Sequence, residues 1–182
     1  MRTLAAAVLA AMLVATSAHA TDEADALAAA RKCAGEVNRR GVSAQVDCMD
    51  EAALAEFKNL MLLLFKRFPD DATAKRLFGD SASIDQIDAL PPADLMRHFL
   101  QRREESAQQQ KLTTSLAVIG AVKDGERVHV LVRERSGPLK PSGIEVATTE
   151  VHTYVKRNGQ WRSELRGDVK KMEQMLRKQL GA

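Results

Sequence analysis

Apolar and polar residues alternate along the second half of this chain and recur every three or four positions along the first. Period two is the mark of a half-buried strand, and period 3.6 of an amphipathic helix. Leu112 to Val122 alternates, Lys123-Asp124-Gly125-Glu126 turns, and Arg127 to Arg135 alternates back. Ile144 to Arg157 repeats the pattern, Asn158-Gly159 turns, and Gln160 to Arg166 returns. Asp-Gly and Asn-Gly supply the positive φ that tight hairpin turns need, so two hairpins and about four antiparallel strands are expected. In the first strand Leu112, Thr114, Leu116 and Val118 share one face, with Ile119 and Ala121 on the other. In the second, Val128, Val130 and Val132 oppose His129, Leu131 and Arg133. In the third, Ile144 and Val146 share a parity that Val151 and Val155 do not, which predicts a β-bulge near residues 147–149.

The helical half divides at its caps and breakers. A first helix is expected from Thr21 or Asp22 to Arg40, with Gly41 at its left-handed C-terminal position. It is rich in alanine and weakly amphipathic, so it must be held by packing or a cross-link. A second helix, about Asp50 to Arg67, is apolar on more than one side through Leu54, Phe57, Leu60, Met61, Leu64 and Phe65, and reads as the central helix. Pro69 stops it, and a short helix follows to Gly79. Ser83 and Gln86 have capping-box spacing. Pro92 opens a helix that buries Leu95, Met96, Phe99 and Leu100, and the polar run from Gln101 to Gln110 reads as a solvated helix end or loop. Ser136 to Gly143 reads as a loop. A last helix, Asp168 to Leu180, is expected to bury Val169, Met172, Met175, Leu176 and Leu180, and its basic side reads as a solvated face.

The N-terminus changes the picture. Met1-Arg2, an apolar run from Leu4 to Val14, and Ala18-His19-Ala20 make the tripartite pattern of a cleavable export leader. Residues 1–20 are thus expected to leave, and 21–182 to form a single exported domain, with a bacterial periplasm the fitting compartment. No later stretch is long and apolar enough to span a membrane. Removing Arg2 lowers the formal charge of +3 by one, and aromatic residues make up only 4% of the chain. No basic stripe with interleaved aromatics suggests a nucleic-acid surface. Cys33 and Cys48 are the only cysteines, and an even count in an exported chain predicts a disulfide.

Local motifs for chemistry are missing. His98, His129 and His152 have no metal-ligand spacing, and there is neither a glycine-rich phosphate loop nor a Gly-x-Ser-x-Gly elbow. No metal or cofactor is expected.

Helices followed by long antiparallel strands give an α+β fold, with the helices on one face of a curved sheet. Curled over the second helix, such a sheet encloses an apolar cleft, with Phe57, Met61, Phe65, Phe99, Val130 and Trp161 as its expected lining. The hairpin at Lys123-Asp124-Gly125-Glu126, the strand Val128-His129-Val130-Leu131-Val132 and the run Val151 to Trp161 resemble the nuclear transport factor two-like superfamily, the cystatin-like α+β cone. That resemblance implies a cone whose site is built inside the cleft. It admits isomerases and dehydratases as well as binding domains, so it selects no function. In isomerase-like members a buried carboxylate acts as base and a Tyr or protonated acid as hydrogen-bond donor. Glu150, His152 and Tyr154 share a strand face and are the candidates here, with Glu134, Arg133 or His129 across the sheet. Alternation turns Val151 and Val155 toward the core and the Glu150 row toward solvent. The expectation is therefore a non-catalytic domain that binds a small apolar ligand or a protein partner. The alternative is a cone-fold lyase or isomerase acting by proton transfer, and a homodimer through the sheet is a third arrangement the pattern allows.

Overall fold

The computed structural model describes residues 3–80, 82–138 and 145–181, with the side chains of residues 3–21 and 71 left aside. The contacts of the expected leader, and the part of the expected loop from Leu139 through Gly143 with Ile144, lie outside the described residues. The fold is α+β: five helices and a 3₁₀ segment, then four strands, then a helix. The helices are α1 (Thr3–Arg40), α2 (Glu51–Arg67), α3 (Asp71–Phe78), α4 (Ile84–Ala89), α5 (Pro92–Gln109) and α6 (Gly167–Leu180), and the 3₁₀ segment is Val42–Cys48.

The helix ends follow the sequence signals. Asp50 caps α2 by accepting from the Ala52 N–H, and Asp70 caps α3 through Ala72 and Thr73. Ser83 and Gln86 form both halves of a capping box on α4. Each side chain occupies a backbone donor that the first helical turn leaves unpaired. The polar run after Gln101 stays helical through Gln109.

Strands β1 (Leu112–Asp124), β2 (Arg127–Pro138), β3 (Val146–Arg157) and β4 (Gln160–Ser163) form one curled antiparallel meander in sequence order. Asn158 and Gly159 both take positive φ at the second hairpin. The bulge is in β1, not in β3. The β1–β2 register steps from Val118↔Val132 to Gly120↔Leu131, so Ile119 is the extra residue, while β2 and β3 pair without interruption from Arg127↔Val155 to Ser136↔Val146. The extra residue reverses the parity of β1. Ala121, expected opposite Leu116 and Val118, therefore joins them on the inner face, where all three pack on the core. The mismatch in β3 that suggested a bulge has another origin. Val146 and Val151 do lie on opposite faces, but both are largely exposed, so neither marks the core.

Two apolar clusters hold the chain. One is helical and joins Phe57, Leu60, Met61, Phe65, Leu95 and Leu176 with Met49 and Leu165. The other lies between α1 and the sheet and joins Ala26 and Ala30 to Val128, Val130, Val132, Tyr154 and Trp161. The helix that lies on the sheet is therefore α1 and not α2. The reason is steric: alanines let the α1 backbone approach the valine row closely, whereas the bulky stripe of α2 fills the space among α5, α4 and α6. The Asp22 carboxylate ties α1 to the sheet through Lys123 and Lys156, at 2.8 and 3.0 Å. In α6 only Leu176 is fully buried; Met172 and Met175 stand out in solvent, the latter 60% exposed. Cys33 on α1 and Cys48 at the end of the 3₁₀ segment form a disulfide, with Cα atoms 5.9 Å apart.

Candidate functional site

The two clusters meet along a seam, and the seam opens into a cavity of about 480 Å³. It is walled from three sides. The end of α1 and the 3₁₀ segment supply Val37, Asn38, Val42 and Gln45; α5 supplies Met96, Phe99, Leu100, Arg103 and Glu104; the inner sheet face supplies Leu116, Glu134, Ser136, Glu150 and His152. Glu164, Leu165 and Arg166 close it behind β4.

The walls meet here because α1 stops. Gly41 has φ +92°, a conformation that favours glycine, and the Glu104 carboxylate of α5 lies against its Cα. Beyond Gly41 no α1 residue covers the sheet. Asn38, in the last turn, binds the free edge of β1 like a neighbouring strand: its amide donates to the Leu116 carbonyl at 2.9 Å and accepts from the Leu116 N–H at 2.8 Å.

Strand pairing decides which way β3 faces. Glu150 is paired with Val132, His152 with Val130 and Tyr154 with Val128. Directly paired residues point to one side of a sheet. The three valines face inward, so Glu150, His152 and Tyr154 do as well. The expected arrangement is reversed for the Glu150 row and for Val151, which is on the outer face, 52% exposed, next to Leu131; Val155 is buried as expected. The physical reason is that the inner face is dry only under α1. Further along, it becomes the wall of a water-accessible cavity, where polar side chains are the stable choice.

The three candidates are separated by depth. Glu150 and His152 line the cavity. Tyr154 lies behind them against α1, beside a small void it shares with Cys33, Gln45, His152 and Ser163, and burial pushes its phenol up to about 12. It remains a neutral phenol near pH 7. Arg166 Nη1 donates to Glu150 Oε2 at 2.6 Å, and the same oxygen is 3.5 Å from His152 Nε2. The other edge of Arg166 is held by Asp168 at 2.9 and 3.2 Å. Burial works against the Arg166 charge, but Asp168, Glu150 and, more weakly, Glu134 outweigh it and its pKa is raised. Asp168, bonded to Arg166, is lowered. Burial also lowers the His152 pKa, with Glu150 opposing in part, so the imidazole is neutral at pH 7. A neutral imidazole beside a fixed carboxylate can accept a proton from a bound molecule or return one.

Of the six residues expected to line a cleft, Phe99 does so. Phe57, Met61 and Phe65 belong to the helical cluster, while Val130 and Trp161 pack beneath α1. Across the sheet, Glu134 faces the cavity, whereas His129 and Arg133 lie on the outer face with Leu131. On that face Ile119, Leu131 and Val151 are exposed side by side. The 3₁₀ segment and Arg166 escaped the sequence reading. Arg166 carried a usable signal, since it directly precedes the acidic start of the last helix.

Among the described residues no group of three or more His, Cys, Asp or Glu side chains could hold a metal ion, and no helix is long and apolar enough to cross a membrane. No protein-family model, curated protein or solved structure matches the chain.

Proposed function

We propose that this chain is an exported small-molecule-binding domain whose ligand occupies the cavity between α5, the end of α1 and the inner sheet face. The observation that carries this is the cavity itself: about 480 Å³, with an apolar patch of Met96, Phe99 and Leu100 on α5 and polar groups converging from β2, β3 and the later turns of α5. Concave sites of this size with a few placed polar groups are where small ligands bind. The disulfide supports an oxidising, exported setting, since such bonds persist outside the reducing cytosol. We read the fold as a cone of the nuclear transport factor two-like kind, supported by the helices-then-curled-sheet order.

Titration with the neutral fluorophore N-phenyl-1-naphthylamine tests the reading. The purified protein should brighten it saturably, and Ala107→Trp, at an α5 residue that also lines the cavity, should abolish the signal while keeping the folded circular-dichroism spectrum. A folded Ala107→Trp variant that binds as well as the parent would refute the assignment.

A second reading is favoured by one observation, the inward facing of Glu150 and His152. Here the domain is a lyase or isomerase in which His152 takes a proton from a ligand carbon and Glu150, held by Arg166, steadies the imidazolium that forms. A ligand retained through purification, identified by native mass spectrometry, would be incubated with the protein in D₂O. Deuterium should enter it with the parent protein and not with His152→Gln; equal exchange with both proteins would remove His152 from the reaction.

A further inference from the structure

We infer that the cavity takes a cationic amphiphile, an ammonium or amidinium group on an apolar body. This rests on the binding reading above and adds the charge of the ligand.

The charges around the cavity are unequally spent. Four carboxylates line it, those of Glu104, Glu134, Glu150 and Glu164, against the two guanidiniums of Arg103 and Arg166. Glu150 is matched by Arg166, and Glu164 by Arg127 and Lys170 at 3.5 and 3.3 Å. Arg166 is in turn shared with Asp168. Glu104 and Glu134 have no ion-pair partner within 4.0 Å among the described residues; Glu134 accepts from the Ser136 hydroxyl at 3.5 Å and attracts Arg166 and His152 only from beyond ion-pair distance. The positive side has little left to offer an anion. Arg103 is exposed, Arg166 is held at both edges, and His152 is kept neutral by its burial.

Glu134 stands on the inner face one pair along from Glu150, since Glu134 pairs with Thr148 and Glu150 with Val132. Glu104 approaches from α5, against Gly41. The apolar part of the lining is Met96, Phe99, Leu100 and Leu165, the first three on α5 before Glu104. A ligand that matches both halves has a hydrocarbon body and a cationic end. An anionic end would meet unpaired carboxylates, and a like charge in a partly desolvated site is rejected strongly.

The test compares octylamine, octanol and octanoate at pH 7.5 by isothermal titration calorimetry on the intact purified protein, each below its micelle concentration. Octylamine should bind most tightly and octanoate least. Glu134→Gln, checked for an unchanged melting curve, should weaken octylamine about tenfold and leave octanol unaltered. Glu104→Gln provides the same comparison from the α5 side. If octanol binds and octylamine is no tighter, or octanoate is the tightest of the three, the charge assignment fails while the binding cavity stands. If neither octanol nor octylamine binds, the cavity reading fails with it.

Discussion

Removing the Cys33–Cys48 bridge should cost about 3 kcal/mol of folding stability and loosen the cavity at the same time. The sequence separation is 15 residues. On the chain-entropy account, closing a loop of that size restricts the unfolded chain by roughly 3 kcal/mol at 25 °C. The bridge also has a local duty. It fastens the 3₁₀ segment to α1, and these two elements supply Val37, Asn38, Val42 and Gln45 to one wall of the cavity. The perturbation is Cys33→Ala with Cys48→Ala, preferred to serine because Cys33 is buried and a hydroxyl there would need a new partner. Urea denaturation followed by far-ultraviolet circular dichroism would measure the difference at constant slope. For a chain of this size a loss of ~3 kcal/mol also lowers the melting temperature by roughly 6–12 °C. The variant should bind N-phenyl-1-naphthylamine more weakly in the absence of urea, where it is still folded. A loss below about 0.5 kcal/mol would refute the entropic reasoning, because the predicted term depends only on loop length. Full stability loss with unchanged probe affinity would instead show that the 3₁₀ segment keeps its place without the bridge, and that the wall is held by Arg97 and Arg162 on Asp47.

Two further outcomes follow from the packing and the charges. Ala30→Leu, at a residue fully enclosed between α1 and the valine row, should destabilise by about 1–3 kcal/mol through overpacking, as measured by urea melts; a neutral result would mean that α1 does not press on the sheet. His152 should titrate below its ordinary value of 6.5 in a ¹H–¹⁵N spectrum. A group whose folded pKa is lowered binds more protons when unfolded, so stability is full above about 6.5 and declines as pH falls toward the folded value. His152→Gln should remove that decline from the pH profile, and an unchanged profile would show that the imidazole is not desolvated.

The order of elements was legible in the sequence because its signals are local. Turn chemistry at Asp124-Gly125 and Asn158-Gly159, the Ser83–Gln86 box, and the Asp50 and Pro92 starts each act within four residues. The disulfide was legible from the cysteine count and the export leader that the sequence predicts. What could not be read locally was which helix lies on the sheet. A hydrophobicity count favours α2, yet alanine is the better partner where a helix must lie close to a β-branched row. Nor did apolar alternation locate the bulge. Ile119 is an outward residue inserted between Val118 and Gly120, and an alternating run with one extra member still alternates on either side of it.

The facing of β3 was misread for a reason that also locates the site. The rule that apolar residues of a strand point inward assumes that the inner face is covered along its whole length. In this chain the cover is α1, and it ends at Gly41. Along β2 the inner row runs Val128, Val130, Val132 and then turns to Glu134 and Ser136. The row changes character where the helix above it stops. On β3 the same boundary falls between Tyr154, dry against α1, and Glu150, which lines the cavity, with His152 touching both spaces. Both halves of this boundary are written in the sequence, as a helix-ending glycine and as a valine row that breaks into polar residues. They lie some ninety positions apart, and only the fold brings them together. A strand whose inner row turns polar halfway marks the edge of its cover, and a cavity walled by both the apolar patch of α5 and that polar half-row is the consequence.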